Sequence, residues 1–224
     1  LNPRINVLET IGEPLLVNGI ARGRELEDRV TEVIRKVGLN VGFLRRYPHS
    51  FSGGQRQRIC IARALVVNPR VVVADEPVSA LDVSIQAQIL NLLQDLQREF
   101  GLSYVFISHN MSVVRYMSSR ILVMYAGKMV ETAKRDDLLR TPRHPYTAML
   151  LAAIPKISVL GEIGRAQTLG EPPNLLQLPR GCVFHPRCKF AQDICREEPP
   201  ALRSVGSEHM AACHFANELD LQGV

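Results

Sequence analysis

Two adjacent carboxylates follow a short apolar run in the first half of the chain. In "VVVADEP", Asp75 and Glu76 come directly after residues that are typical of a buried β-strand. An aspartate at a strand end commonly reaches a nucleotide-bound Mg²⁺, and a glutamate beside it can polarise an attacking water. Acidic residues before Pro77 also suit a helix cap, so this segment alone predicts catalysis and capping equally well.

A histidine follows the next predicted strand, in "SYVFISH". Ligands of open parallel sheets bind beyond the carboxyl ends of the strands. We therefore expect His109 to lie beside Glu76 at one edge of the sheet, where an imidazole can hydrogen-bond a terminal phosphate. A lone histidine at a strand end is more often structural, but this one accompanies an Asp-Glu pair.

The stretch "SFSGGQRQR" stands directly before a helix-forming run. Ser52 can cap that helix, the two glycines let backbone N–H groups approach a ligand, and the helix start favours an anion. The phosphate-loop pattern GxxxxGK[ST] is absent from the sequence. Lys128 follows a glycine in "AGK", but it lies in a predicted hairpin and no Ser or Thr comes after it.

A parallel sheet is needed to bring these residues together. Apolar spacing predicts helices in the first third of the chain, a strand buried on both faces at 71–75, a long helix ending at Gly101, and a second buried strand at 103–108. A strand–helix–strand crossover implies a parallel pair and an α/β fold. The predicted segments are a helical one over 1–66, a core part over 67–140 that holds the strand–helix–strand unit and His109, and a C-terminal extension over 141–224.

Composition excludes several classes of protein. The 224 residues carry a net charge of +5 without a dense Lys/Arg run, so no nucleic-acid partner is predicted. No apolar stretch approaches the roughly 18 residues that cross a bilayer. The segment after Leu1 has neither a Met nor a signal-peptide layout, and we expect the chain to be a fragment whose true start lies upstream.

Four segments, in this order and spacing, resemble the ATP-binding subunits of ABC transporters. "FSGGQRQR" resembles the signature motif, "VVVADEP" the Walker B strand, "SALD" the D-loop and "FISH" the switch-histidine loop. "RHPYTAMLLAAIP" and "GCVFHPRC" resemble the subfamily that serves oligopeptide, dipeptide and nickel importers. The resemblance implies a P-loop NTPase-like parallel sheet core, present in part, with a helical subdomain and a small cysteine-containing C-terminal extension.

The resemblance also implies roles for individual residues. Glu76 and His109 would be catalytic, and Asp75 would bind Mg²⁺ through water. The residues expected to contact ATP are Ser52, Gly53, Gly54, Gln55, Asp75 and Asp82. In this family the signature closes over the γ-phosphate of ATP held by a partner, so a second ABC ATPase subunit is expected. Two membrane permease subunits and, indirectly, an external solute-binding protein would complete a peptide importer on the cytoplasmic face of the bacterial plasma membrane.

The missing phosphate loop limits what this chain can do. The resemblance places Walker A and the Q-loop glutamine upstream of Leu1, so we expect the chain alone neither to bind ATP tightly nor to hydrolyse it. Asn110 follows the histidine where the family usually has Asp. Two rival classes are a chromosome or DNA-repair ATPase, for whose long coiled coil the compact helical region leaves no space, and a non-catalytic metal-binding module.

Four of the five cysteines crowd into the last fifth of the chain, with the spacing C-x₅-C-x₆-C-x₁₇-C. They are Cys182, Cys188, Cys195 and Cys213. The spacing is not that of a zinc ribbon, and disulfides are rare in the cytosol, but zinc and free thiols stay open. A proline-rich, core-poor tail favours a metal staple. Similar tails in the subfamily are thought to hold a [4Fe–4S] cluster, whose stoichiometry four cysteines satisfy; His185, His209 and His214 are alternative ligands.

Overall fold

The computed structural model describes residues 1–154 and 174–224. Within it the chain divides into two compact units, residues 1–109 and residues 110–224. This division differs from the three predicted segments, which stay a prediction, and residues 155–173 of the predicted extension lie outside the described part.

Three helices open the first unit, and they pack around a shared apolar core. The first begins with a capping box, in which Asn6 and Glu9 each accept the other's backbone N–H. Arg63 and Glu13 join the first and third helices through an ion pair of 2.6 Å. The elements are α1 (Val7–Val17), α2 (Gly23–Lys36) and α3 (Gly53–Leu65), with short 3₁₀ turns at Val41–Phe43 and Pro48–Ser50.

The predicted strand–helix–strand unit is confirmed. Strands β1 (Val71–Asp75) and β2 (Ser103–Ile107) pair in parallel, and helix α4 (Val83–Phe100) connects them. The helix ends at Gly101, whose φ of 63° suits a residue without a side chain. Register pairs Asp75 with Ile107, so the residues that follow both strands emerge at the same edge.

One prediction about this pair is wrong. The strands are not buried on both faces, because Val73 and Val105 remain 64% and 52% exposed, as Val71 and Ile107 do to a similar degree. The opposite face is covered, and Tyr104 there donates its hydroxyl to the Leu93 carbonyl of α4 at 3.1 Å. A continuous β-branched run fits a covered face but does not reveal whether the other face is covered as well.

The second unit is built on an antiparallel sheet with strand order β3-β4-β6-β5. The hairpin predicted around "AGK" is confirmed, since Ala126 and Gly127 have φ values of 48° and 74° that suit a two-residue turn. The elements are α5 (Met111–Met117), β3 (Arg120–Tyr125), β4 (Lys128–Lys134), α6 (Arg135–Arg140), α7 (Pro145–Ala152), α8 (Asp193–Glu197), β5 (Arg203–Gly206) and β6 (His209–Ala211).

The cysteine-bearing tail is part of this sheet, which sequence reasoning missed. Strand β6 pairs with β4, and Phe184 is 2% exposed in the same apolar cluster as Tyr125 and Leu138. The expectation of a core-poor tail is therefore wrong. The signal is weak in the sequence because β5 and β6 have only four and three residues.

Candidate functional site

Helix α3 starts at the signature serine. The Ser52 hydroxyl oxygen accepts the Gln55 N–H at 3.4 Å, and the Ser52 N–H donates to the Gln55 side-chain oxygen at 3.1 Å. This capping box uses a lone pair of the Ser52 oxygen and leaves its O–H free to donate. Ser52 and Gly53 are exposed, so the helix start presents a hydroxyl and unused first-turn N–H groups to solvent.

The two glycines also have a packing role. A Cβ on Gly54 would lie 2.6 Å from Ile85 Cγ2, and one on Gly53 would lie 3.3 Å from Leu81 Cδ2. Helix α3 therefore begins against the segment that leads into α4. Gly54 is required by this contact in addition to any ligand, which the sequence pattern did not reveal.

The signature arginines bind backbone carbonyls. Arg56 Nε donates to the Pro48 carbonyl at 2.9 Å, and Arg58 Nη1 donates to the Val37 carbonyl at 2.6 Å. Each guanidinium thus holds a segment upstream of the signature against α3. Their contacts are structural.

Glu76 follows β1 in a strained backbone conformation. Its φ is 44°, a region that non-glycine residues rarely adopt. The Glu76 N–H donates to the Ile107 carbonyl at 3.0 Å, and both the N–H and the hydroxyl of Ser79 donate to the Glu76 carbonyl. These bonds at the sheet edge hold the strained residue in place, as is common at functional sites.

The structure brings Glu76 and His109 together. His109 Nδ1 lies 2.9 Å from Glu76 Oε1, and both side chains are substantially exposed. The hydrogen bond with His109 holds the pKa of the Glu76 carboxyl below its ordinary range, against the opposing effect of desolvation. A carboxylate that is ionised at neutral pH can accept a proton from water.

The two aspartates of the site are accessible. Asp75, the last residue of β1, is exposed and lines a cavity of about 190 Å³ together with Gln57 and Pro77. Asp82 precedes α4 as its N-cap residue, yet its side chain makes no capping hydrogen bond. The capping alternative for Asp75 and Glu76 is not what the structure has, because the next helix begins seven residues beyond Glu76, at Val83.

Four cysteines of the second unit line one small cavity. Cys182, Cys188, Cys195 and Cys213 surround about 10 Å³ of free space, beside His144 and other ring side chains. Burial, and to a smaller degree the neighbouring thiols, raises the pKa of Cys213 to about 11. The pKa values of Cys182 and Cys188 are raised for the same reasons.

Hydrogen bonds to backbone groups hold the cysteine-bearing segments next to one another. The Cys182 N–H donates to the Cys195 carbonyl at 2.8 Å, and His185 Nδ1 lies 2.9 Å from the Cys182 carbonyl. Arg203 donates to the Cys213 carbonyl at 3.2 Å and to the His214 carbonyl. The cavity is thus framed by hydrogen bonds between segments that are distant in sequence.

No group of three His, Cys, Asp or Glu side chains in the described residues is arranged to hold a metal ion. All five cysteines are free. Each of the three alternative histidine ligands has one ring nitrogen engaged elsewhere: His185 Nδ1 contacts the Cys182 carbonyl, His209 Nε2 contacts Glu131, and His214 Nε2 contacts the Glu198 carbonyl. The cluster therefore stays a prediction.

Sequence reasoning missed a buried hydrogen-bonded glutamate–histidine contact next to this cavity. Glu131 of β4 is fully buried, and its Oε1 lies 2.7 Å from Nε2 of the buried His209 in β6. No sequence signal reveals the pair, because a glutamate in a short strand ordinarily faces solvent.

Comparison with known proteins identifies the family. Residues 1–79 match the family model "ABC transporter", and residues 130–195 match "Oligopeptide/dipeptide transporter, C-terminal region". The chain is 49% identical over 218 residues, 97% of its length, to the di/tripeptide transport ATP-binding protein DppF of Pseudomonas aeruginosa, of which it covers 67%. The chain belongs to the ABC transporter ATP-binding family.

Other relatives of this ABC ATP-binding chain carry related names. It is 49% identical to the oligopeptide transport ATP-binding protein AppF of Bacillus subtilis, over 96% of the chain and 66% of that relative. The chain spans about two thirds of the length of the curated relatives it matches. A solved dimeric ATP-binding cassette in a post-hydrolysis state, bound to ADP and Pi, is 34% identical to this chain with a TM-score of 0.52. The similarity covers 60% of this chain and 59% of the chain in that structure.

The structural similarity agrees with the predicted α/β fold. Among the described residues of this ABC chain, no helix is both long enough and apolar enough to span a membrane.

Proposed function

We propose that this chain is part of an ATP-hydrolysing subunit that powers a peptide importer. The observation that carries the proposal is the contact of 2.9 Å between Glu76 and His109 at the edge of a parallel strand pair. The relatives named as peptide-transport ATP-binding proteins support the same activity.

The signature segment binds the γ-phosphate of ATP held by a second ABC ATPase subunit. Ser52 donates its free O–H, and the N–H groups of Gly53 and Gly54 point from a helix start that favours an anion. Gln55 positions Ser52 through the capping box, and Asp82, whose side chain makes no capping hydrogen bond, contacts the same ATP.

The strand ends supply the reacting groups. Asp75 binds Mg²⁺ through a water, and Glu76, held in place by its contact with His109, polarises the attacking water. His109 hydrogen-bonds the terminal phosphate and orients Glu76 at the same time. ATP and Mg²⁺ are the cofactors.

The subunit works at the cytoplasmic face of the bacterial plasma membrane, bound peripherally to two permease subunits, with an external solute-binding protein delivering the peptide. The match of residues 130–195 to a peptide-transporter region supports transport over a role in chromosome maintenance or DNA repair. It also supports transport over a purely metal-binding module.

The test replaces Glu76 by Gln in the full-length protein assembled with its permease and sister subunit. We expect ATP hydrolysis to fall by about 10²- to 10⁴-fold, the range for loss of a general base, while ATP binding is retained. The matched control is Glu25→Gln, which removes an exposed carboxylate of α2 paired with Arg29. Hydrolysis that is unaffected by Glu76→Gln would overturn the proposal.

A second measurement tests the expectation that this chain alone does not hydrolyse ATP. The chain of 224 residues, purified alone, should show no ATPase activity above that of its own Glu76→Gln variant. Activity that disappears in the variant would contradict this expectation.

We further propose that the four-cysteine cavity holds a [4Fe–4S] cluster. The donor set fits, because four thiols from three sequence segments line one cavity and two backbone contacts frame it. The thiols would have to spread, since the space they enclose is about 10 Å³.

When bound, a cluster supplies one-electron redox chemistry or a structural staple. Protein prepared without oxygen should be brown and contain iron and sulfide, and Cys188→Ser should lose both. The control is Cys60→Ser, which lies in the first unit. Colourless, iron-free anaerobic protein would remove the cluster from the proposal without affecting the ATPase assignment.

A further inference from the structure

A single buried carboxylate joins three distant segments of the second unit. Glu131 Oε1 accepts the Arg143 N–H at 2.6 Å and lies 2.7 Å from His209 Nε2, while Oε2 accepts the His144 N–H at 3.0 Å. Glu131 is fully buried and His209 is 5% exposed. A buried carboxyl group is tolerated when its oxygens are hydrogen-bonded, and these three contacts meet that requirement here.

Two of these three contacts lead directly to the cysteine cavity. The His144 ring lines the cavity and packs against Phe184, with ring centroids 5.7 Å apart. His209 begins β6, and Cys213 follows that strand after Ala212, whose N–H donates to the Val130 carbonyl at 2.8 Å. Two walls of the cavity, from α7 and from the segment after β6, are therefore fixed by one carboxylate.

We propose that Glu131 is a positioning residue of the cysteine site, holding His144 and the segment that carries Cys213 around the cavity in which the proposed cluster would bind. This inference rests on the proposed cluster for its ligand, but the positioning itself is a property of the polypeptide. Outer residues that orient metal ligands typically change metal affinity about 10- to 100-fold when they are replaced.

The chemistry of an amide makes Glu131→Gln a sharp test. Glutamine keeps one acceptor oxygen but places an NH₂ group where the second carboxylate oxygen accepts a donor. If the glutamine oxygen accepts from the Arg143 backbone N–H and contacts His209, the NH₂ group faces the backbone N–H of His144. Two hydrogen-bond donors then face each other. The His144 wall of the cavity should therefore shift while the side-chain volume is unchanged.

The experiment measures iron, sulfide and visible absorbance in the anaerobic chain, together with alkylation rates of each cysteine in metal-free protein by mass spectrometry. We expect Glu131→Gln to retain iron about 10- to 100-fold less tightly and to expose Cys213 to faster alkylation, with Cys60 unchanged. The matched control is Glu208→Gln, an exposed glutamate of the β5–β6 turn paired with Arg120 and Lys134. It should behave as wild type.

Conservative replacement separates positioning from general stability. His209→Gln keeps an N–H donor for Glu131 and should preserve both readouts, whereas His209→Leu should reproduce the effect of Glu131→Gln. If wild type holds no iron but Glu131→Gln still alters Cys213 alkylation, the cluster fails and the positioning role stands. If folded Glu131→Gln shows wild-type iron retention and alkylation rates, the positioning role is overturned.

Discussion

At the residue scale, Gly54 has two reasons to lack a side chain. A ligand that approaches the start of α3 needs access to backbone N–H groups, and Ile85 needs the volume that a Cβ would occupy. Only the first reason follows from the motif. The second comes from the packing of α3 against the start of α4, where a Cβ would lie 2.6 Å from Ile85 Cγ2.

The two glycines should therefore respond differently to alanine. Gly54→Ala should lower the free energy of unfolding by about 1–3 kcal/mol, the usual cost of overpacking. Gly53→Ala, whose Cβ would lie 3.3 Å from a flexible leucine tip, should cost little because alanine favours a helix over glycine by about 1 kcal/mol. Denaturant titration measures both. Gly54→Ala combined with Ile85→Ala should recover part of the loss, and equal effects of the two single changes would contradict the packing argument.

Glu76 gives a prediction about pH. The hydrogen bond with His109 lowers the pKa of Glu76 in the folded chain. Its stabilising contribution is complete above the ordinary glutamate pKa and is lost as the pH falls through the lower folded value. NMR titration of the Glu76 side-chain carbon should show this low pKa, and His109→Ala should return it to the ordinary range. An unchanged titration in His109→Ala would rule out the contact as the cause.

At the element scale, the turn before Cys182 depends on a glycine. Gly181 has a φ of 68°, and a Cβ there would lie 2.5 Å from the Cys195 carbonyl oxygen, the acceptor of the Cys182 N–H. Gly127, in the β3–β4 turn, has a φ of 74° but no atom near its Cβ position. Comparing Gly181 with Gly127 therefore separates the energetic cost of a left-handed backbone from the cost of a steric clash.

Alanine at these two positions should therefore cost different amounts. Gly127→Ala should lose about 1–2 kcal/mol from the left-handed conformation alone. Gly181→Ala should lose more, because the clash is with backbone that cannot rotate away, and it should break the bond between Cys182 and Cys195. Thermal unfolding gives the energies, and hydrogen exchange of the Cys182 amide reports the bond. Slow exchange in Gly181→Ala would show that the turn accommodates a side chain.

Elements with strong local signals could be predicted from the sequence, and those that depend on distant partners could not. Ser52 caps α3 through residues three positions apart, β1 and β2 are short apolar runs, and α4 has a clear apolar periodicity. Strand β6 has three residues and depends on its neighbours β4 and β5, between which it lies. In the sequence Glu131 looks like a solvent-facing strand residue. Its hydrogen-bond partners lie 12 to 78 positions away, so no local pattern reveals that it is buried.

At the scale of the whole molecule, the first unit carries an apolar face that its own helices leave exposed. Val71, Val73, Val105 and Ile107 lie on the exposed side of the parallel pair, while the other side meets α4. Exposed apolar patches of this kind promote association when the chain is isolated. The chain studied alone should therefore bind apolar dyes and self-associate.

Threonine tests this expectation because it keeps the β-branched shape that strands favour. Val73→Thr with Val105→Thr should reduce dye fluorescence and self-association in sedimentation, and should change the free energy of unfolding by less than about 0.5 kcal/mol per site, as for surface positions. The matched control is Ala74→Thr, next to Val73 but on the covered side, at 9% exposure. Its hydroxyl and added volume should destabilise by about 1–3 kcal/mol. If the double replacement destabilised the chain as much as Ala74→Thr does, the valine face would have to be covered in solution.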